Sequence, residues 1–177
     1  MTISLAIDTS TSRTSVGIIE DGKLIWSGFR DGATAHGPAL PALVQEAIAG
    51  RVIDEVVVGM GPGPFTGLRI GIAFAHSFAL ARGIYVRGVC SLDAIAAQVT
   101  SKDFVITVDA RRKEVYWARY IDGVRVGEPA VNFPAVVAGT EIYSELFPDL
   151  LAMVALSENI TEPIYLRHPD AVATADR

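Results

Sequence analysis

The sequence predicts an α/β protein made of two pseudo-repeated lobes, the second shorter than the first. An apolar strand closed by an aspartate, "ISLAID" (Ile3 to Asp8), opens the chain, and "FVITVD" (Phe104 to Asp109) opens the later half. Each is followed by two further runs joined by Asp-Gly, at Asp21-Gly22 and again at Asp122-Gly123. Asp-Gly between alternating runs marks a tight hairpin, because glycine tolerates the positive φ such turns need. Between the two meanders, helical periods alternate with short β-branched runs, as in parallel strands joined by helices. The lobes are expected to span residues 1–101 and 102–177.

Taken in order, "SVGIIED" and "GKLIWSGF" complete a three-stranded meander. In "GPALPALVQEAIAG", Leu40, Leu43, Val44, Ala47 and Ile48 recur at helical spacing, and Gly50 suits a helix end. "DEVVVGM" (Asp54 to Met60) is a valine run suited to a strand buried on both faces. A loop and a helix from about Thr66 to Arg82 follow, then the strand "GIYVRGVC" and the helix "SLDAIAAQV". Ser91 is the candidate N-cap of that helix, and Asp93 favours its first turn. After the second meander, "AVVAG" (Ala135 to Gly139) is expected as a strand. "TEIYSELFPDLLAMVALSE" reads as two helical pieces broken at Pro148, and "EPIYLRHPDA" as an extended tail.

Half of the 177 residues are hydrophobic and 20% are charged, enough for a packed core. The net charge of -5 makes the isolated chain a poor binder of nucleic acid, which needs a basic surface. Cys90 is the only cysteine, which excludes an intrachain disulfide and a cysteine zinc cluster, and its strand context points to a buried, inert thiol. The opening "MTISLAIDTS" lacks the basic and apolar regions of a signal peptide, and no apolar run reaches the ~18 residues of a spanning helix. A cytoplasmic protein is expected, with no membrane contact. The mean hydropathy of +0.36 suggests a large buried fraction that includes an apolar interface.

The loop "GPGPFTG" (Gly61 to Gly67) superficially suggests phosphate binding. A P-loop places lysine and a hydroxyl residue at the helix start, and no lysine stands there. Pro62 and Pro64 also remove two backbone donors that a phosphate cradle needs. The following helix is more informative. Gly67, Gly71, Ala75 and Ala79 lie four apart and form one slanting stripe of small side chains. Glycine costs about 1 kcal/mol in a helix interior, so close packing must offset it. Spacing alone favours packing within the same chain, against the sheet or the Leu40 to Ile48 helix. The alternative is packing against a second protein.

Asp8, Thr9, Ser10 and Thr11 at the end of the first strand could orient magnesium and a phosphate, or form an Asx or Ser/Thr turn that satisfies its own backbone. Asp109 holds the equivalent place in the second lobe, followed by the basic turn Arg111, Arg112 and Lys113, read as solvated or as meeting a phosphate or an acidic partner. His36, His76 and His168 are too far apart to make a helical metal pair, and no Gly-x-Ser-x-Gly occurs.

"AIDTSTSRTSVGI", "GPGPFTGLRIGIAFAHSFA", "VDARRKEVYWARY" and "PIYLRHPDA" together resemble the TsaB (YeaZ) family, from near Ile3 to near Ala171. The resemblance implies the two-lobed fold shared by actin, Hsp70 and sugar kinases, a ribonuclease H-like architecture that agrees with the doubled meander. It implies a non-catalytic scaffold of the machinery that makes tRNA threonylcarbamoyladenosine, without cofactor or metal of its own. The implied partners are the catalytic paralogue TsaD and the ATPase TsaE, with a homodimer when alone and tRNA reached only through the complex.

The resemblance also assigns the interface to the helix after His36 and to the Thr66 to Arg82 helix. The candidates are His36, Leu40, Leu43, Thr66, Gly67, Arg69, Ile70, Gly71, Ala75, His76 and Ala79. This turns the small stripe into an expected seam between proteins. Asp8, Thr9, Ser10, Thr11 and Asp109 become a vestigial phosphate site. The catalytic relative holds metal with a His-x-x-x-His helix, whereas Leu40 stands four after His36. Kinases of this fold place glycine after the first Asp turn, where Ser10 stands here, which weakens the alternative of a small ATP-binding phosphotransferase or ATPase. The family has a longer second lobe, and the short stretches between Asn132 and Ala135 and after Phe147 leave two readings: a shortened second lobe, or segments absent from this sequence.

Overall fold

The computed structural model describes residues 1–32, 34–139 and 141–167; His168 and the rest of the expected tail lie outside them. The first meander is β1 (Ile3–Asp8), β2 (Arg13–Glu20) and β3 (Lys23–Asp31). Next come α1 (His36–Ile48), β4 (Glu55–Gly59), α2 (Phe65–Arg82), β5 (Tyr85–Val89) and α3 (Ser91–Ala96). The second meander is β6 (Asp103–Asp109), β7 (Val115–Ile121) and β8 (Val124–Asn132). A 3-10 turn (Pro134–Val136), β9 (Ile142–Tyr143) and α4 (Leu150–Ala155) follow.

The strands form two sheets, ordered β3-β2-β1-β4-β5 and β8-β7-β6-β9. Both Asp-Gly hairpins form with both residues left-handed: φ is 45° and 74° at Asp21 and Gly22, and 47° and 78° at Asp122 and Gly123. β1 runs antiparallel to β2 and parallel to β4, and β4 is parallel to β5.

The pleat of the first sheet sorts its residues between two layers. Leu5, Ile7, Val16, Val56 and Val58 meet Leu40, Leu43, Ala75 and Phe78 of α1 and α2. Ala6, Ile19 and Val57 on the other face meet Leu150 and Met153 of α4. A separate core joins α3 to the second sheet through Leu92, Ile95, Phe104, Ile106 and Tyr120. The fold is therefore α/β, of the two-lobed actin, Hsp70 and sugar-kinase type, with few elements left in its second lobe.

Several expectations are corrected. Residues 135–139 make no strand; Pro134 starts a single 3-10 turn instead. The expected helix before Pro148 is a short strand, because Ile142 and Tyr143 pair in parallel with Val105 and Ile106. Only the second piece is helical, with the Asp149 side chain accepting from the Ala152 N–H at 2.7 Å. Ser91 is not the cap of α3; it is the first helical residue, after Cys90. The last elements of the expected second lobe, 102–177, return to the first: α4 covers β1 and β2, and Ile160 N–H donates to the Gly88 carbonyl at 2.8 Å. The apolar side of α4 fills a face of the first sheet that would otherwise expose Ala6 and Val57 to water.

Candidate functional site

The Asp8 turn closes on itself. Asp8 Oδ1 accepts from the Ser10 N–H at 2.9 Å and the Ser10 hydroxyl at 2.8 Å, and Oδ2 accepts from the Ser91 hydroxyl at 2.7 Å. Burial pushes its pKa up, against these three hydrogen bonds. The Thr9 hydroxyl donates to the Gly67 carbonyl at 2.8 Å, and Thr11 Oγ1 accepts from the Arg13 N–H at 3.1 Å. A Cβ on Gly63 would stand 2.4 Å from the Ser10 carbonyl oxygen, so the Gly61–Pro64 loop lies directly on the turn. The Asx and Ser/Thr turn reading describes this geometry. The phosphotransferase alternative needs an Asp8 carboxylate open to a metal, and both of its oxygens are occupied within the chain.

Asp109 is exposed and accepts from the Arg111 N–H at 3.0 Å. It lines a cleft of about 610 Å³ between the lobes with Thr11, Ser12, Thr107, Arg111 and Phe147. Of the phosphate-site candidates, the structure brings Thr11 and Asp109 to one cleft and seals Asp8, Thr9 and Ser10 away from it. Arg111, Arg112 and Lys113 are exposed, and all three adopt left-handed backbone, with φ of 59°, 54° and 64°.

The small stripe of α2 is corrected as a seam, because it faces inward. A Cβ on Gly67 would meet the Thr9 carbonyl at 2.7 Å, and one on Gly71 would meet the Thr9 hydroxyl at 2.3 Å. Ala75 and Ala79 are buried over the first sheet. The glycines let α2 descend onto the Asp8 turn. His36, Leu40 and Leu43 are buried too, with His36 Nδ1 2.7 Å from the Thr14 hydroxyl. Burial, reinforced by the Arg111 charge, holds the imidazole below its usual pKa, against a Thr11 backbone hydrogen bond. Among the interface candidates, Thr66, Arg69 and His76 remain exposed, and Ile70 is half-buried.

The outward row that the stripe reading missed has a different spacing. Thr66, Arg69, Ala73, His76 and Leu80 advance by alternating steps of three and four and are all exposed. Those steps keep the five residues on one face of the helix. On the neighbouring α1, Pro38, Pro41 and Gln45 follow the same steps, with Ala42 beside them, also exposed. Leu80 is 85% exposed, and Arg69 carries the only charge among these positions. Periodicity could have found this row once the glycine stripe was assigned to the core.

Cys90 is fully buried, and burial pushes its thiol up to about 12, so it is no nucleophile. Among the described residues, no His, Cys, Asp and Glu cluster has the arrangement of a metal site, and no helix is long and apolar enough to cross a membrane.

Comparison with known proteins places this geometry. The family model described as "TsaD: tRNA N6-adenosine threonylcarbamoyltransferase" matches residues 32–146. An uncharacterized protein of Mycobacterium tuberculosis is 42% identical over 196 aligned residues, 94% of this chain and 92% of the relative. That alignment is longer than the 177-residue chain, so the relative has segments without a counterpart here. The tRNA threonylcarbamoyladenosine biosynthesis protein TsaB of Escherichia coli is 34% identical over 125 residues, and the match spans 66% of this chain and 54% of that protein. The chain thus spans about half the length of that curated relative. A Pseudomonas aeruginosa protein with similarity to peptidase YeaZ superposes with a TM-score of 0.80 at 26% identity, covering 94% of this chain and all of that one. YeaZ from Pseudomonas aeruginosa gives 0.74 at 26% identity, over 88% and 90% of the two chains. With a family model spanning more than half the chain, and with named relatives and solved structures in agreement, the protein belongs to the TsaB (YeaZ) family.

Proposed function

We propose that this protein is a non-catalytic scaffold in tRNA threonylcarbamoyladenosine synthesis. It binds the catalytic paralogue TsaD through the outward rows of α1 and α2, and the ATPase TsaE joins that complex. Alone, the chain pairs with itself through the same face. It reaches tRNA through the assembled machinery in the cytoplasm, and it carries no cofactor.

The observation that carries this reading is the pair of neighbouring helices whose outward rows carry one charge, Arg69, and include the small or apolar Pro38, Pro41, Ala42, Ala73 and Leu80. A helix facing only water ordinarily shows charged residues there. Ala42 and Ala73 leave room for two partner helices to approach and complete a four-helix contact. The names of the relatives support the pathway. The closed Asp8 turn supports a structural role over chemistry.

The test is a titration with purified TsaD. Ala73→Glu buries an unpaired carboxylate in the contact and should weaken the complex at least ~30-fold. The folded chain should stay within about 0.5 kcal/mol of wild type, since Ala73 faces solvent. Unchanged affinity for Ala73→Glu and Ala42→Glu would remove the interface from these helices.

A further inference from the structure

The residues after α4 form a strap that touches both lobes and passes the foot of α2. The Arg87 guanidinium receives its start, donating to the carbonyls of Val154 at 2.8 Å and Glu158 at 3.4 Å, and to that of Leu156. The Ile160 side chain packs into the cores of both lobes. The Ile164 N–H donates to the Met60 carbonyl at 2.8 Å. The Tyr165 ring then packs tilted at 45° against Phe65, the first residue of α2, with centroids 5.0 Å apart, while the Arg69 guanidinium lies 4.9 Å from the same Phe65 ring. Two residues later, Arg167 has crossed to the other lobe. Its guanidinium donates to the Ala110 carbonyl at 2.9 Å and pairs with Glu114. Ala110 and Glu114 bracket the basic hairpin Arg111–Lys113.

We infer that this strap couples the outward row of α2 to the basic hairpin of the second lobe, so that a partner seated on α2 sets the hairpin's position. The inference rests on the docking reading above. It extends that reading to the cleft, whose lining includes Asp109 and Arg111. The physical reason is reach. An extended chain spans at most about 3.3–3.6 Å per residue, so Tyr165 and Arg167 cannot separate freely once both ends are held. One end is held by a tilted aromatic contact that shares Phe65 with Arg69 of the docking row. The other is held by a charged pair whose side chains are only about a quarter exposed, at 26% and 25%, and therefore screened less than a surface pair. The hairpin residues between the anchors are exposed, so their position depends on such ties.

Hydrogen exchange by NMR tests the coupling in two arms. In the free protein, Arg167→Ala should speed exchange at the Leu68 amide about fivefold, although Arg167 is anchored on Ala110 and Glu114 of the other lobe. Tyr165→Ala should do the same at the Glu114 amide, while Tyr165→Phe keeps the ring contact and leaves both rates unchanged. In the second arm, TsaD bound to wild type should slow exchange across Arg111–Glu114 at least fivefold, and Arg167→Ala should still bind TsaD without slowing the hairpin. The inference is overturned if Leu68 and Glu114 ignore the distant variants, or if the hairpin slows equally in bound Arg167→Ala. Failure of wild type to bind TsaD would instead sink the docking reading and leave the first arm to decide the coupling.

Discussion

Two turns in this protein share one local plan and meet different fates. Asp8 and Asp109 each close the first strand of a meander, and each accepts the N–H of the residue two positions on. Asp8 is buried under α2, Ser91 and the Gly63 loop, whereas Asp109 faces the cleft. The difference lies in what each sheet has to cover it. The first sheet has α1 and α2 on one face and α4 on the other. The second is packed by α3, while Ile121, Val124, Val126 and Ile142 of its strands remain 40–68% exposed. The repeated motif determines the turn, and the helices packed around it determine whether a carboxylate meets water.

The largest effect should come from breaking the closure of the first turn. Gly71→Leu drives a side chain into Thr9, which a Cβ alone would approach to 2.3 Å. Overpacking of this kind costs about 3 kcal/mol or more, because neither the strand end nor the helix can retreat. Ala73→Leu, two residues on but facing outward, should change stability by less than about 0.5 kcal/mol. Urea denaturation of the two variants checks the contrast. Equal stability would mean that the stripe is not sealed.

The strand–turn–strand plan was legible because Asp-Gly and the alternating runs are local signals. The direction of the Gly67 to Ala79 stripe was not, because steps of four define a face without saying what it faces. The resemblance pulled that stripe outward, while the bare spacing had favoured the chain's own core. β9 was hidden for a similar reason: "TEIYSELF" has helical composition, and only its pairing with Val105 and Ile106 makes Ile142–Tyr143 a strand. The return of α4 and the strap to the first lobe depends on which sheet face lacks cover, and a linear sequence does not state that.

A middle-sized effect is expected where the lobes meet. Asp93 on α3 accepts from the Tyr120 hydroxyl at 2.6 Å and pairs with Arg125 of β8 at 2.9 Å. Burial raises its pKa to about 6, helped by neighbouring Glu158 and opposed by Tyr120 and Arg125. The folded state thus holds this proton more tightly than the unfolded chain. The associated stability is fully present below about pH 3.8 and is lost as pH rises through about 6. Asp93→Asn should flatten the stability profile between pH 4 and 6.5 by roughly 1–2 kcal/mol, allowing for partial solvent screening. Thermal melts across that range check it, and an unaltered slope would place the titration elsewhere.

The smallest effects return to the two aspartates. Asp8→Asn keeps an acceptor for both Ser10 bonds and leaves the Ser91 hydroxyl free to turn and accept from the new amide. It also removes a carboxylate whose dominant perturbation is burial. Since that burial raises the folded pKa above 3.8, the wild-type charge is a growing burden as pH rises. Asp8→Asn should therefore be as stable as wild type or more so at pH 8, by up to about 1 kcal/mol, and the difference should shrink toward pH 4. Asp109→Asn keeps a side-chain oxygen to accept from the Arg111 N–H and should move stability by less than about 0.5 kcal/mol at any pH. Denaturant midpoints for both variants at pH 4 and 8 make the measurement. A loss of several kcal/mol at pH 8 for Asp8→Asn would mean that the carboxylate's charge is needed where it sits, and the first turn would then have to be read as a working anionic site instead of a closed joint.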